Sequence, residues 1–233
     1  MSDFKLTRNR DAWFVIRGYK YQIDLSILRW LALNDGQSLV LEFGEDIDIV
    51  NNALTSMIDR ELEQIKHLDT PVTLRTPSSK TALANAVSHF VENPDQELLF
   101  RFCTNASVTT ESPSPFEDRS AAIEIWEKLR KGKLKKKDVS ERLDKLLPFL
   151  SGLKKPGDAN KATWEQFLEQ VGKWSTEDLK RFIGRFEWST QLPSAVDIVS
   201  KIESKLVVLK VSPTIANDAV SYTHLTLPTK RIV

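Results

Sequence analysis

Two short stretches bring together residue types that could do chemistry on a phosphodiester. One is Glu45-Asp46-Ile47-Asp48; the other is Gln64-Ile65-Lys66, set within Glu63-Gln64-Ile65-Lys66-His67. Side chains alternate along a β-strand. Asp46 and Asp48 therefore share one face of their strand, and Gln64 and Lys66 share one face of theirs. Hydrolysis of a phosphodiester needs a divalent cation against the phosphate, a deprotonated water aimed in line, and neutralisation of the charge at pentavalent phosphorus. Mg²⁺, or Mn²⁺ in its place, takes oxygen ligands, usually one or two carboxylates plus waters. Asp46 and Asp48 can supply carboxylates and Gln64 a carbonyl oxygen. Lys66 can position the water or stabilise the developing charge. Moving Lys66 by one residue would turn it to the opposite face. Which of Asp46 and Asp48 is the main ligand stays open at this level.

These side chains need adjacent strands to hold them. Apolar residues recur at helical spacing from Tyr21 through Leu25, Leu28 and Ala32, and Asn34-Asp35-Gly36 ends that helix. Strands are predicted over residues 38–43, 46–50 and 61–68, with residues 71–75 extending the sheet or running along its edge. Ser78 or Ser79 is expected to cap a helix reaching Glu92, and Leu98–Cys103 forms a strongly apolar strand. The order helix, strand, strand, strand, helix, strand predicts an α/β fold, a mixed sheet flanked by helices.

Residues 107–118 are rich in Ser, Thr and Pro, which marks a linker or boundary. Beyond it the pattern is helical, with no strand expected before about Leu206. Thr163-Trp164-Glu165-Gln166 and Ser175-Thr176-Glu177-Asp178 have capping-box spacing. Residues 118–219 thus read as a helical connector. Val220–Thr229 breaks the character of what precedes it and matches one reading frame of a transposase-based sequencing adapter. Residues 220–233 are accordingly taken as an assembly artefact, and the natural protein is expected to continue past Ala219.

Composition sets limits on the rest. The chain has 233 residues, 41% hydrophobic and 28% charged, with a formal net charge of +1. A normal core is possible, and coating nucleic acid by bulk charge is excluded, although a local basic groove is not. No apolar run approaches a membrane span, and the N-terminus lacks a secretion signal. The lone Cys103 allows no internal disulfide, which fits the cytoplasm, and it reads as a buried hydrophobe. Glu42 and Glu63 read as structural or solvated. His67 points away from the Gln64 and Lys66 face, and His89 reads as a packing or surface residue. The Lys131–Lys137 run reads as a solvated face, and Trp164, Trp174 and Trp188 as helix packing. No phosphate-binding glycine loop, zinc-ligand spacing or nucleophile elbow is present in the sequence.

Gly18-Tyr19-Lys20-Tyr21-Gln22, Glu42 with Glu45-Asp46-Ile47-Asp48, Gln64-Ile65-Lys66-His67 and Phe100-Arg101-Phe102-Cys103-Thr104-Asn105 together resemble a known family. It is the PD-(D/E)xK nuclease domain at the N-terminus of anti-phage proteins, the effectors of nucleotide-gated CBASS systems and of STAND-type NTPases. The resemblance covers about residues 12–110. It implies a restriction-endonuclease-like core over residues 1–117 and Mg²⁺-dependent cleavage of double-stranded DNA. It implies Asp46 as metal ligand, Gln64 in the acidic position of the motif, Lys66 as catalytic lysine and Gln22 bordering the site. It further implies homo-oligomerisation on activation and a sensor or NTPase domain beyond the connector. Gln64 departs from the Glu or Asp of many members and removes one charge from the metal site. Two other readings compete: a degenerate nuclease fold that only binds DNA or a partner, and a helical oligomerisation adaptor working through residues 118–210.

Overall fold

The computed structural model describes residues 12–52, 57–157 and 159–209. The adapter-like residues 220–233 lie outside them. The chain divides into two compact units, one holding residues 33–192 and the other, among the described residues, 12–32 with 193–209.

The larger unit is α/β. Its five-stranded sheet has the order β1 (Gln37–Leu41), β2 (Ile47–Asn51), β3 (Arg60–Lys66), β4 (Leu98–Thr104) and β5 (Phe186–Ser189). β2 runs antiparallel to both β1 and β3, while β3, β4 and β5 are mutually parallel. The three strands and the order of elements expected before residue 105 are present. Only Val72 of the predicted 71–75 extension pairs, in a single bridge with Val108.

Register decides what each face carries. Leu62, Gln64 and Lys66 lie opposite Phe100, Phe102 and Thr104, and Phe100 and Phe102 lie opposite Phe186 and Trp188. Over Leu62, Phe100, Phe102, Phe186 and Trp188 this face is apolar and packs against helices. Phe100 stacks on Phe186 at 5.2 Å, and Trp126 meets Phe182, Phe186 and Trp188 edge-on. Each such ring removed from water contributes roughly 1.5–3 kcal/mol. The other face carries a partly buried ionic ladder. Glu63 is opposite Arg101, which is opposite Glu187, and the guanidinium pairs with Glu61, Glu63 and Glu187. Those carboxylates, Glu63 foremost, outweigh burial and push the Arg101 pKa up. Glu63, expected to be structural or solvated, is fully buried in this ladder.

Helix α2 (Pro77–Glu92) starts one or two residues before the expected cap at Ser78 or Ser79. Thr76 is the N-cap residue, with Pro77 in the first turn, where its missing N–H costs nothing. Helices α3 (Ala122–Arg130), α4 (Lys136–Ser151), α5 (Lys161–Lys173) and α6 (Thr176–Arg185) follow. The Ser175 capping box forms as the spacing predicts. The one expected at Thr163 does not. Asn160 caps α5 instead, accepting from the Ala162 and Thr163 amides.

The connector expected from residue 118 does not coincide with the division of the structure. The Phe186-Glu187-Trp188-Ser189 strand pairs with β4, and its edge is held by α3, where Trp126 Nε1 donates to the Phe186 carbonyl and Glu127 accepts from the Trp188 amide. The Ser/Pro-rich stretch is pinned to the same core. Buried Glu111 accepts from the Leu74 and Ala122 amides, the second at the start of α3. Phe186 continues the helical spacing of Leu179, Phe182 and Ile183, so pairing with β4, a long-range event, overrides the local period.

The smaller unit pairs α1 (Ala12–Trp30) with α7 (Ala195–Val208). Tyr21 donates to the Pro193 carbonyl at 3.1 Å. Ser194 and Asp197 form a capping box on α7. α1 begins well before Tyr21 and includes the exposed Trp13, Phe14, Val15 and Ile16. Among the described residues no helix is long and apolar enough to cross a membrane.

Candidate active site

Only the first half of the acidic stretch, Glu45-Asp46, lies in the loop of the β1–β2 hairpin; Ile47 and Asp48 open β2. Leu41 pairs with Ile47, so residues 42–46 form the connection. Glu42 takes a positive φ of 54°, which helps turn the chain, and its amide donates to the Asp46 carbonyl. Gly44 then passes close over β3. A Cβ built there would lie 2.9 Å from Leu62 Cδ2 and 3.4 Å from Asp48 Oδ2, a space that only glycine leaves open.

This fold-back sends the carboxylates to different partners. β2 pairs with β3 from Val50–Arg60 to Ile47–Glu63, and beyond Glu63 the β3 edge loses its strand partner. There Asp46 takes over. Its Oδ2 accepts from the Ile65 amide at 2.7 Å and lies 3.7 Å from Lys66 Nζ. Burial raises the Asp46 pKa above 3.8, aided by Glu45 and Glu42, and Lys66 and the Ile65 amide only partly offset it. Asp46 is thus a partly buried carboxylate held beside Lys66.

Asp48 is placed differently. Its side chain is fully buried and faces Arg60 at 3.4 Å. Burial raises its pKa too, against the lowering effects of Arg60 and the Gly44 amide. Asp48 is thus engaged by Arg60, while Asp46 meets Lys66. Gln22 lies on α1, in the smaller unit, with its carbonyl accepting from Ser26.

Gln64 is buried, and its Nε2 donates to Glu45 Oε2 at 3.2 Å. Its other end, Oε1, has no hydrogen-bond partner. Glu45 is itself a hub. Its Oε1 accepts from Asn85 Nδ2 at 3.0 Å and faces His89 Nε2 at 3.5 Å. Asn85 and His89 stand four residues apart on α2, hence on one helix face. Burial would lower the His89 pKa, but the bond to Glu45 and its charge outweigh this and raise it above 6.5. Sequence reasoning read His89 as a packing or surface residue and gave no separate role to Glu45 or Asn85. The i,i+4 spacing of Asn85 and His89 on α2 was the available signal.

Among the described residues no three His, Cys, Asp or Glu side chains gather as a metal cluster. The oxygen donors are the Asp46 carboxylate and the orphaned Gln64 carbonyl; the buried Asp48 oxygens also lack a hydrogen bond, but one of them faces Arg60 at 3.4 Å. One carboxylate plus a neutral oxygen, completed by waters, fits Mg²⁺ or Mn²⁺.

No protein-family model and no curated protein matches the chain. Among solved structures it is similar to the Moraxella osloensis Cap4 SAVED/CARF-domain containing receptor, with 14% identity and a TM-score of 0.44. The match covers 91% of this chain and 42% of that one, so the chain spans less than half of that receptor's length.

Proposed function

We propose that the chain is a metal-dependent endonuclease of double-stranded DNA, an effector in bacterial antiviral defence. The observation that carries the reading is the approach of Lys66 Nζ to Asp46 Oδ2, with Gln64 on the same strand face as Lys66. Asp46 and the Gln64 carbonyl would hold Mg²⁺ or Mn²⁺. The bound cation would polarise the phosphate and lower the pKa of a water. Lys66, partly exposed at the end of β3, has reach to orient that water or to meet charge developing on the phosphate. Asp46 holds Lys66 across the strand end. The defence role, the oligomer on activation and a further sensor or NTPase domain rest on the family resemblance of residues 12–110.

The test is incubation of supercoiled plasmid with the purified chain and Mg²⁺ or Mn²⁺. Cleavage by the wild type and its loss in Lys66→Ala, with DNA binding retained, supports the reading. A wild type that binds DNA and cuts it with neither metal points to a binding module. One observation favours that second reading: Asp48 is paired to Arg60 and Glu45 is taken up by Gln64, Asn85 and His89, so Asp46 alone of these carboxylates is left to meet a cation.

A further inference from the structure

Gln64 occupies a position where a carboxylate would offer oxygen from either end. An amide offers oxygen from one end only, so its orientation decides whether it can meet a cation or repels one. That orientation is imposed by Glu45. A carboxylate accepts and does not donate, so the end of Gln64 lying 3.2 Å from Glu45 Oε2 must be Nε2. The carbonyl end is thereby turned away from Glu45, and it is this atom that is buried without a partner. Glu45 cannot swing to release it. Its side chain is only 7% exposed, and its second oxygen is held by Asn85 and His89 on α2. An orphaned buried acceptor is costly unless something meets it.

We propose that Glu45 is the positioning residue of the site: clamped by Asn85 and His89, it fixes the Gln64 amide so that the carbonyl oxygen is presented, with Asp46, to a divalent cation. The inference rests on the metal-site reading above and assigns Glu45 no contact with the cation. It explains how a glutamine serves in this position. The negative charge missing from residue 64 is one step back, on Glu45, where it orients the ligand instead of binding.

The arrangement can be exchanged end for end. In Glu45→Gln the new amide would keep its oxygen toward Asn85 and His89 and set its NH₂ against the Gln64 NH₂, so Gln64 must flip. In Gln64→Glu two carboxylates would face each other at the same contact. In the double variant the amide introduced at position 45 would donate to the carboxylate introduced at position 64, and the contact would be restored. The probe is Mn²⁺ alone, titrated into the full chain without DNA and followed by electron paramagnetic resonance of the free ion, with thermal melts confirming folding. Each single variant should weaken Mn²⁺ binding about tenfold, the lower range for groups that orient metal ligands. The double variant should return to within about threefold of the wild type, because the two changes are coupled. A Glu45→Gln variant with unchanged affinity, a Gln64→Glu variant that binds Mn²⁺ more tightly, or strictly additive effects would each overturn the proposal. If either single variant fails to fold, Asn85→Ala takes its place. It loosens the clamp without touching Gln64 and should weaken Mn²⁺ binding severalfold; an unchanged affinity overturns the proposal. A folded wild type that binds no Mn²⁺ removes the metal-site reading and this inference together, whereas Mn²⁺ binding with an uncoupled cycle removes this inference alone.

Discussion

Arg60 stands 3.4 Å from Asp48, a carboxylate with no solvent exposure, directly beneath the loop that carries Asp46. Removing the cation from such a pair leaves a buried charge. Arg60→Leu should therefore destabilise the fold at neutral pH by on the order of 2–3 kcal/mol, less than a fully buried pair because Arg60 is 27% exposed. Chemical denaturation of the variant against the wild type measures this.

The same pair has a pH signature. The folded Asp48 pKa is raised above 3.8, so the folded state binds this proton more tightly than the unfolded chain does. The contribution of Asp48 to stability is greatest below pH ~3.8 and declines as pH rises through its folded pKa. Losing Arg60 raises that pKa further. The deficit of Arg60→Leu should accordingly shrink as pH is lowered from neutral towards 4, and denaturation midpoints across that range would show it. A deficit independent of pH would mean that Asp48 is not the group left unpaired.

Lys66→Ala should reduce cleavage at least about a hundredfold, the scale for losing one group that stabilises transition-state charge. Stability should change little, within about 0.5 kcal/mol, since Lys66 is 39% exposed. Single-turnover cleavage and a thermal melt of the same preparation separate the two effects. A large fall in melting temperature would instead make Lys66 a structural residue.

Gly44→Ala sets a methyl group 2.9 Å from Leu62 Cδ2. Relieving the contact must lift the 42–46 loop or displace Leu62, at a cost of about 1–3 kcal/mol. Because Asp46 rides on that loop, Mn²⁺ binding should weaken as well, and titration of the ion into the folded variant reads it.

Phe186→Ala should cost about 3–5 kcal/mol, the range for truncating a fully buried aromatic residue. The loss should appear in a single unfolding transition shared by far-ultraviolet dichroism and tryptophan fluorescence, because Phe186 packs on Phe100 of β4. Two separated transitions would instead support a connector that folds apart from the sheet.

Much of the site was legible from local rules. Strand alternation alone puts Gln64 and Lys66 on one face, and the helix, strand, strand, strand, helix, strand order follows from the period of apolar residues. Those are properties of neighbours in sequence. The separate fates of Asp46 and Asp48 are not. Both lie on the same side of an extended strand on paper, yet the hairpin turn at Glu42 and the close pass of Gly44 send one to Lys66 and the other to Arg60. Glu45 becomes a hub only because α2, forty residues on, lays Asn85 against it. β5 exists only because Phe186–Ser189 finds the open edge of β4, against a local pattern that reads as helix. Backbone period is written residue by residue. The partner of a buried charge or of a strand edge is chosen by whatever the completed fold brings within hydrogen-bond reach, and that is where the tertiary structure decided.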